Sequence, residues 1–410
     1  MKIKNVFYSA GLTGFFFDDQ RAIKRGAEHD GFTYLGEPVT PGFSRIRQAG
    51  ESISIIIELE NGRLAWGDAA AVQYSGAGGR DPLMLAENYI PFLQKNISPL
   101  LVGMELDSFR RCVGKIEKTE VDGKRLHTGL RYGLSQALLA AKAEADGKLM
   151  CEVLCDEYDL PVVAKPVPIF GQSGDDRYTN VDKMIIKRVD VLPHALINNI
   201  EKLNGLEEYI GWLANRIRTL RTDPAYKPSL HIDLYGTVGL IHKDLRDAAA
   251  FLARMQNAAG EFELYFEGPV DMEAKQPQIE ALGVIRAELK RLGSPVKIVA
   301  DEWCNTLEDI RDFTDAQCCD MVQIKTPDLG GIQNTLESVL YCHKHGMEAY
   351  QGGTCNETDI SARSCVHVAM AGRPVRMLAK PGMGFDEGME IVSNEMARIV
   401  AILNARKAGK

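Results

Sequence analysis

Two strand-like runs flank Asn61-Gly62 in ISIIIELENGRLAWGDA (residues 53–69), a pattern that predicts an antiparallel hairpin. Further on, YGLSQALLAAKAEADGKL (132–149) is rich in helix formers and predicts a helix ended by Gly147. The Gly-rich SGAGGRD (75–81) fits no nucleotide-binding spacing and reads as a loop. Together these elements describe an N-terminal α+β unit over residues 1–160.

From about residue 160 short apolar runs alternate with longer helical stretches, the mark of a parallel α/β architecture. Eight strands are predicted, near VPIFG (167–171), MIIKRVDVL (184–192), SLHIDLYG (229–236), ELYFEGP (263–269), VKIVADE (296–302), MVQIKTP (321–327), MEAYQGG (347–353) and VRMLAK (375–380). Helical stretches lie between them, such as KDLRDAAAFLARMQNAAG (243–260) and PQIEALGVIRAELKRLG (277–293). Eight such units fit a (β/α)8 barrel over residues 161–410 better than a doubly wound sheet.

Composition narrows the function classes. The net charge of −8, without a Lys/Arg stripe, argues against a nucleic-acid partner. No segment is long and apolar enough for a bilayer, and the N-terminus lacks the apolar core of a signal peptide. Nine scattered cysteines read as reduced thiols of a cytoplasmic protein. Cys151 and Cys155 lack histidine partners and do not read as a zinc site.

Three consecutive predicted strands end in an acid: Asp233 in HIDLYG, Glu267 in YFEGPVD and Asp301 in VADEW. The separations, 267 − 233 = 34 and 301 − 267 = 34, each equal about one βα unit. Barrel strands share one C-terminal mouth, so the repeat gathers three carboxylates there. Clustered anions of this kind call for a hard cation with open positions, which suits Mg²⁺. One unit later QIKTPDLGG places Gln323 and Lys325 at the next strand end. An isolated lysine there would be a snorkelling surface residue. Beside a metal, desolvation and the ion's charge are expected to lower its pKa and make it a general base. His194 in DVLPHALIN falls at the end of the second strand, across the acids from Lys325, as a second acid/base candidate.

The order of three strand-end acids followed by a lysine one strand later resembles the enolase superfamily. HIDLYG, EGPVD, ADEW, QIKTPDLGG and QGGTCNET, with VLPHALIN and FGQSGDD, resemble the methylaspartate ammonia-lyase family within it, and the likeness runs through AKPGMGFDEG (379–388). It implies an enolase-like fold, a (β/α)8 barrel with an N-terminal capping domain. It further implies Asp233, Glu267 and Asp301 as Mg²⁺ ligands and Lys325 as the base that takes the C3 proton of (2S,3S)-3-methylaspartate, with ammonia lost to give mesaconate. His194 would act on the opposite face, serving the other C3 epimer or binding the adjacent carboxylate. Gln73, Gln172, Gln323, Thr354 and the backbone at Cys355 would contact the amino-dicarboxylate. A homodimer, an activating K⁺ and a place in glutamate breakdown are implied by the likeness alone. Another superfamily dehydratase or racemase, or a non-catalytic metal-binding barrel, stays open at this point.

Overall fold

The computed structural model describes residues 1–77, 79–174 and 176–409; parts of the SGAGGRD and FGQSGDD segments, at 78 and 175, lie outside them. The N-terminal part holds a three-stranded antiparallel sheet in which Ile3–Asp18 and Leu64–Ala70 flank the central strand Arg47–Leu59. Ile53, Ile55, Ile57 and Leu59 alternate inward and are fully buried, each side chain contributing about 1.5–3 kcal/mol of apolar burial. The hairpin forms as expected. Leu59 N donates to Arg63 O at 2.9 Å, and Gly62 takes the left-handed conformation (φ +79°) that the turn requires.

Helix Thr128–Asp146 lies against this sheet and stops at Gly147, whose φ of +63° makes it the C-cap. It starts four residues before the predicted run because the His127 side chain accepts from Gly129 N and caps it. Contact with the last strand is backbone to backbone. A Cβ on Gly67 would sit 2.4 Å from Gly133 O, and one on Gly133 would sit 2.3 Å from Ala69 N. This close seat fixes the strand that leads directly into Ala71–Gln73.

The second half is a closed barrel of eight parallel strands. In chain order they are Ile169–Phe170, Val191–Leu196, Ser229–Asp233, Leu264–Glu267, Lys297–Ala300, Met321–Ile324, Glu348–Gln351 and Arg376–Leu378. The last pairs with the first through Leu378 and Phe170, so the barrel is closed and the doubly wound alternative is set aside. Helices such as Leu245–Ala259 and Lys275–Arg291 fall where the sequence places them.

One strand differs from expectation. Residues 184–186 of MIIKRVDVL belong to helix Thr179–Ile186, and the strand begins only at Val191. Met184 and Ile185 bury on the helix's inner face, and a short apolar run does not by its period distinguish a buried strand from a buried helical turn.

Candidate active site

The polypeptide brings the strand-end acids together through register. Asp233 closes its strand and pairs directly with Glu267, the last residue of the next, while Asp301 follows the end of Lys297–Ala300 by one residue. Lys325 likewise follows Met321–Ile324 by one residue. A cavity of about 740 Å³ opens at this end of the barrel, and all ten residues singled out in the sequence line it. Gln73 reaches it from the N-terminal part, and Gln172, Thr354 and Cys355 from barrel loops.

His194 enters the mouth by a local irregularity. Pro193 pairs with His231 and Ala195 with Ile232, so His194 is an extra residue bulged out of the ladder, with φ +48°. Bulges re-aim side chains, and a left-handed non-glycine costs of order 1–3 kcal/mol that the surrounding packing must offset. Its Nε2 lies 3.7 Å from Glu267 Oε2, and both ring nitrogens are buried without a hydrogen-bond partner in the protein. Its ring stands beside Glu267, whereas Lys325 stands beside Asp301, two barrel strands further on.

Glu267 is fully buried and held from several sides. Gln323 Nε2 donates to Oε1 at 2.5 Å, Tyr350 Oη donates to Oε2 at 2.8 Å, and His231 Nε2 lies 2.8 Å from Oε2. Gln323 also donates to Tyr350 Oη, while its own Oε1 is buried without a partner. Burial would raise the Glu267 pKa, but the His194 and His231 rings beside it outweigh that and hold the carboxyl below its usual range. Burial pushes His231 down to about 4. Asp233 goes the other way. Burial, and then the neighbouring Glu267 and Asp301 carboxylates, push it well above its usual value.

Lys325 lies at the strand end that the sequence assigns to it. Its Nζ lies 2.6 Å from Asp301 Oδ1. Burial lowers its pKa, yet the charges of Asp301 and Glu302 hold the ammonium above the usual range. The lowering expected from the sequence concerns the lysine beside a bound cation. Burial pushes Asp301 up to about 7 against the opposing charge of Lys325.

The donor set fits a divalent cation on this structure's own terms. Ligand atoms of His194, Asp233 and Glu267 lie within 4.8 Å of one another, the one such group of metal-binding residue types among the described residues. Asp301, expected as the third ligand, is not in that group, and its Oδ1 lies 2.6 Å from Lys325 Nζ. Three carboxylates at one mouth, one of them pushed toward protonation by burial and then by the others, leave a negative charge that a hard cation would neutralise.

Several residues of the site were not anticipated. Tyr350 lies in MEAYQGG and His231 in HIDLYG, both read only as strand residues. Asp18, at 1% exposure, accepts Gln73 Nε2 at 2.6 Å and a two-pronged ion pair from Arg47 at 2.7 and 2.8 Å. Arg80 pairs with Asp328 at 3.2 Å, joining the loop after Gln73 to the loop after Lys325. Only their partners across the fold identify them, and no local spacing carries that information.

A barrel with this mouth, carrying strand-end acids and a half-buried lysine beside an α+β unit, has an enolase-like fold. A more distant solved structure, the L-Ala-D/L-Glu epimerase from Bacillus subtilis, shares the fold at 16% identity, with a TM-score of 0.65 over 95% of this chain and 91% of its own. The chain belongs to the methylaspartate ammonia-lyase family: the model of that family's N-terminus matches residues 1–159, and the model of its C-terminus matches residues 161–405. It is 61% identical to the methylaspartate ammonia-lyase of Citrobacter amalonaticus over 99% of this chain and all of that one. The crystal structure of the Citrobacter enzyme containing (2S,3S)-3-methylaspartic acid superposes with a TM-score of 0.98 at 62% identity, covering 98% of this chain and all of that one. The Mg-complex of β-methylaspartase from Clostridium tetanomorphum gives 0.96 at 53% identity, covering 99% and 100%.

Proposed function

We propose that this chain is a carbon–nitrogen lyase that takes the C3 proton of (2S,3S)-3-methylaspartate and expels ammonia from C2, leaving mesaconate. The observation that carries the reading is the half-buried Lys325 ammonium set against three clustered carboxylates at the barrel mouth. Asp233, Glu267 and Asp301 would hold Mg²⁺, which when bound supplies a Lewis acid against the carboxylate next to C3 and so lowers the cost of negative charge there.

The chain's own side chains account for the remaining requirements. Lys325 in its neutral amine form would accept the C3 proton, with Asp301 beside it to stabilise the ammonium that results. His194 lies beside Glu267 with no hydrogen-bond partner on either ring nitrogen, which supports a role in binding the adjacent carboxylate or in serving the other C3 epimer. Gln73 is fixed by Asp18. Its Nε2 is engaged there, so Oε1, which accepts from Cys355 Sγ at 3.4 Å, is the end presented to the amine. Gln172 Oε1, buried without a partner, and Thr354 supply further neutral contacts to the dicarboxylate. Residues 1–160 act as the cap that closes the mouth and excludes water, and residues 161–410 as the catalytic barrel.

The same reading extends to a homodimer and to a cytoplasmic location. Nine unpaired, buried cysteines support a reducing compartment. Among the described residues no helix is long and apolar enough to cross a membrane. The test is direct: purified protein with excess Mg²⁺ and (2S,3S)-3-methylaspartate should release ammonia and mesaconate in equal amounts. No product across a wide pH range would end the proposal.

A further inference from the structure

Beneath the loop that carries Thr354 and Cys355 lies a closed polar cluster that takes no part in the chemistry above. Lys380 Nζ and Glu357 Oε1 are 2.8 Å apart, and both side chains are completely buried. An ammonium has three N–H groups, and Lys380 directs them at Glu357 Oε1, Thr326 Oγ1 at 2.5 Å and the Gly352 carbonyl at 3.1 Å. The Thr326 hydroxyl donates in turn to Glu357 Oε1 at 2.8 Å. Tyr132 Oη, from the helix of the N-terminal part, donates to Glu357 Oε2 at 2.8 Å. Thr354 N completes the set at 3.4 Å from Oε1.

Two charges in a dry interior are costly to desolvate, and a well-packed apolar pair of similar volume often stabilises a core equally well. What this pair holds is more informative than what it adds to stability. Thr326 follows Lys325 directly, Gly352 to Thr354 form the substrate-facing loop, and Tyr132 belongs to the cap. The loop is shaped around the pair, since a Cβ on Gly353 would meet Lys380 Nζ at 2.6 Å and Glu357 Oε1 at 2.7 Å.

We propose that Lys380 and Glu357 are positioning residues that lock the Lys325 backbone, the Gly352–Thr354 loop and the cap helix into one geometry, so that proton abstraction and substrate contact stay in register. The role rests on the lyase reading above. A displacement of about 1 Å at a reacting group costs up to about 10²-fold in rate, so the cluster is expected to act on turnover more than on folding.

Two sets of variants test it. Thr326→Val deletes the bridging hydroxyl at nearly constant shape. Its kcat on (2S,3S)-3-methylaspartate is expected to fall about tenfold or more, with Mg²⁺ affinity by calorimetry unchanged, and Thr326→Ser, which keeps the hydroxyl, is expected to restore it. The double variant Glu357→Gln/Lys380→Met removes both charges together. It is expected to melt near the wild-type temperature while kcat/KM stays about 10²-fold down. A folded double variant with wild-type kcat/KM, or Thr326→Val with wild-type kcat, would overturn the role. If the double variant does not fold, the Thr326 pair decides. Wild-type protein inactive on the substrate would overturn the lyase reading instead, so the two failures are distinguishable.

Discussion

Oδ1 of Asp301 lies 2.6 Å from Nζ of Lys325, so the proposed base and one proposed ligand form a half-buried ion pair. Asp301 and Glu302 hold the Lys325 ammonium above its usual range. On the proposed ligand set, a divalent ion sharing Asp301 would weaken the charge that opposes deprotonation of the lysine, so metal binding and activation of the base would be coupled through one carboxylate.

Removing any member of the acid cluster should therefore show in metal binding before it shows in rate. Asp233→Asn, Glu267→Gln and Asp301→Asn are each expected to weaken Mg²⁺ by at least about tenfold, since even outer contacts to a metal ligand are worth 10–100-fold. Isothermal titration calorimetry on the purified variants reads this directly. Wild-type affinity in all three would remove these residues from the metal site.

The crowded carboxylates also make the ion a stabiliser of the fold. Asp233 is held well above its usual pKa by burial and by its two acidic neighbours, a strain that a cation relieves. At a hundred times its dissociation constant, Mg²⁺ should add about 2.7 kcal/mol to unfolding stability. Calorimetric melting with Mg²⁺ and with EDTA checks the sign, and a lower melting temperature with Mg²⁺ would contradict it.

The barrel, the hairpin and the strand-end acids were legible because each rests on a local period or a fixed spacing. The repeat of 34 residues at Asp233, Glu267 and Asp301 works because one βα unit returns the chain to the same rim. Two kinds of feature were not legible. The bulge at His194 depends on register with the neighbouring strand, and the ionisation of Lys325 depends on which carboxylate faces it. The segment 184–186 was read as strand because Met184, Ile185 and Ile186 carry no period of their own.

Stability in acid should depend on Glu117, which ties the N-terminal part to the loop after the sixth barrel strand. Its carboxylate accepts from Arg131 at 2.8 Å, Arg125 at 2.7 Å and Gly331 N at 3.0 Å. Burial raises its pKa, but Arg131 and the hydrogen bonds outweigh this and hold it below the ordinary 4.5. A carboxyl depressed on folding contributes stability that is fully present above its unfolded value and lost as pH falls through its folded value. Glu117→Gln is expected to cost about 3 kcal/mol at pH 7 by leaving Arg131 unpaired. Its deficit relative to wild type should shrink below about pH 4.5. Urea unfolding of both proteins at several pH values measures this, and a deficit that does not change with pH would contradict it.

His194 should matter for chemistry rather than for folding. His194→Ala is expected to lower kcat/KM on 3-methylaspartate by about 10²-fold or more, the usual scale for a lost acid/base or charge-stabilising group. Comparing the two C3 epimers as substrates shows which role it has: a loss confined to the (2S,3R) epimer assigns it as the second base, and an equal loss on both assigns it to carboxylate binding.

The most direct test of the whole account is C3-proton exchange and ammonia release by Lys325→Ala in Mg²⁺ and deuterated buffer, beside the wild type. The account expects Lys325→Ala to fold and to bind Mg²⁺, yet to lose at least about 10²-fold of both C3 deuterium exchange and ammonia release on (2S,3S)-3-methylaspartate. A Lys325→Ala protein that exchanges the C3 proton and deaminates at the wild-type rate would contradict it.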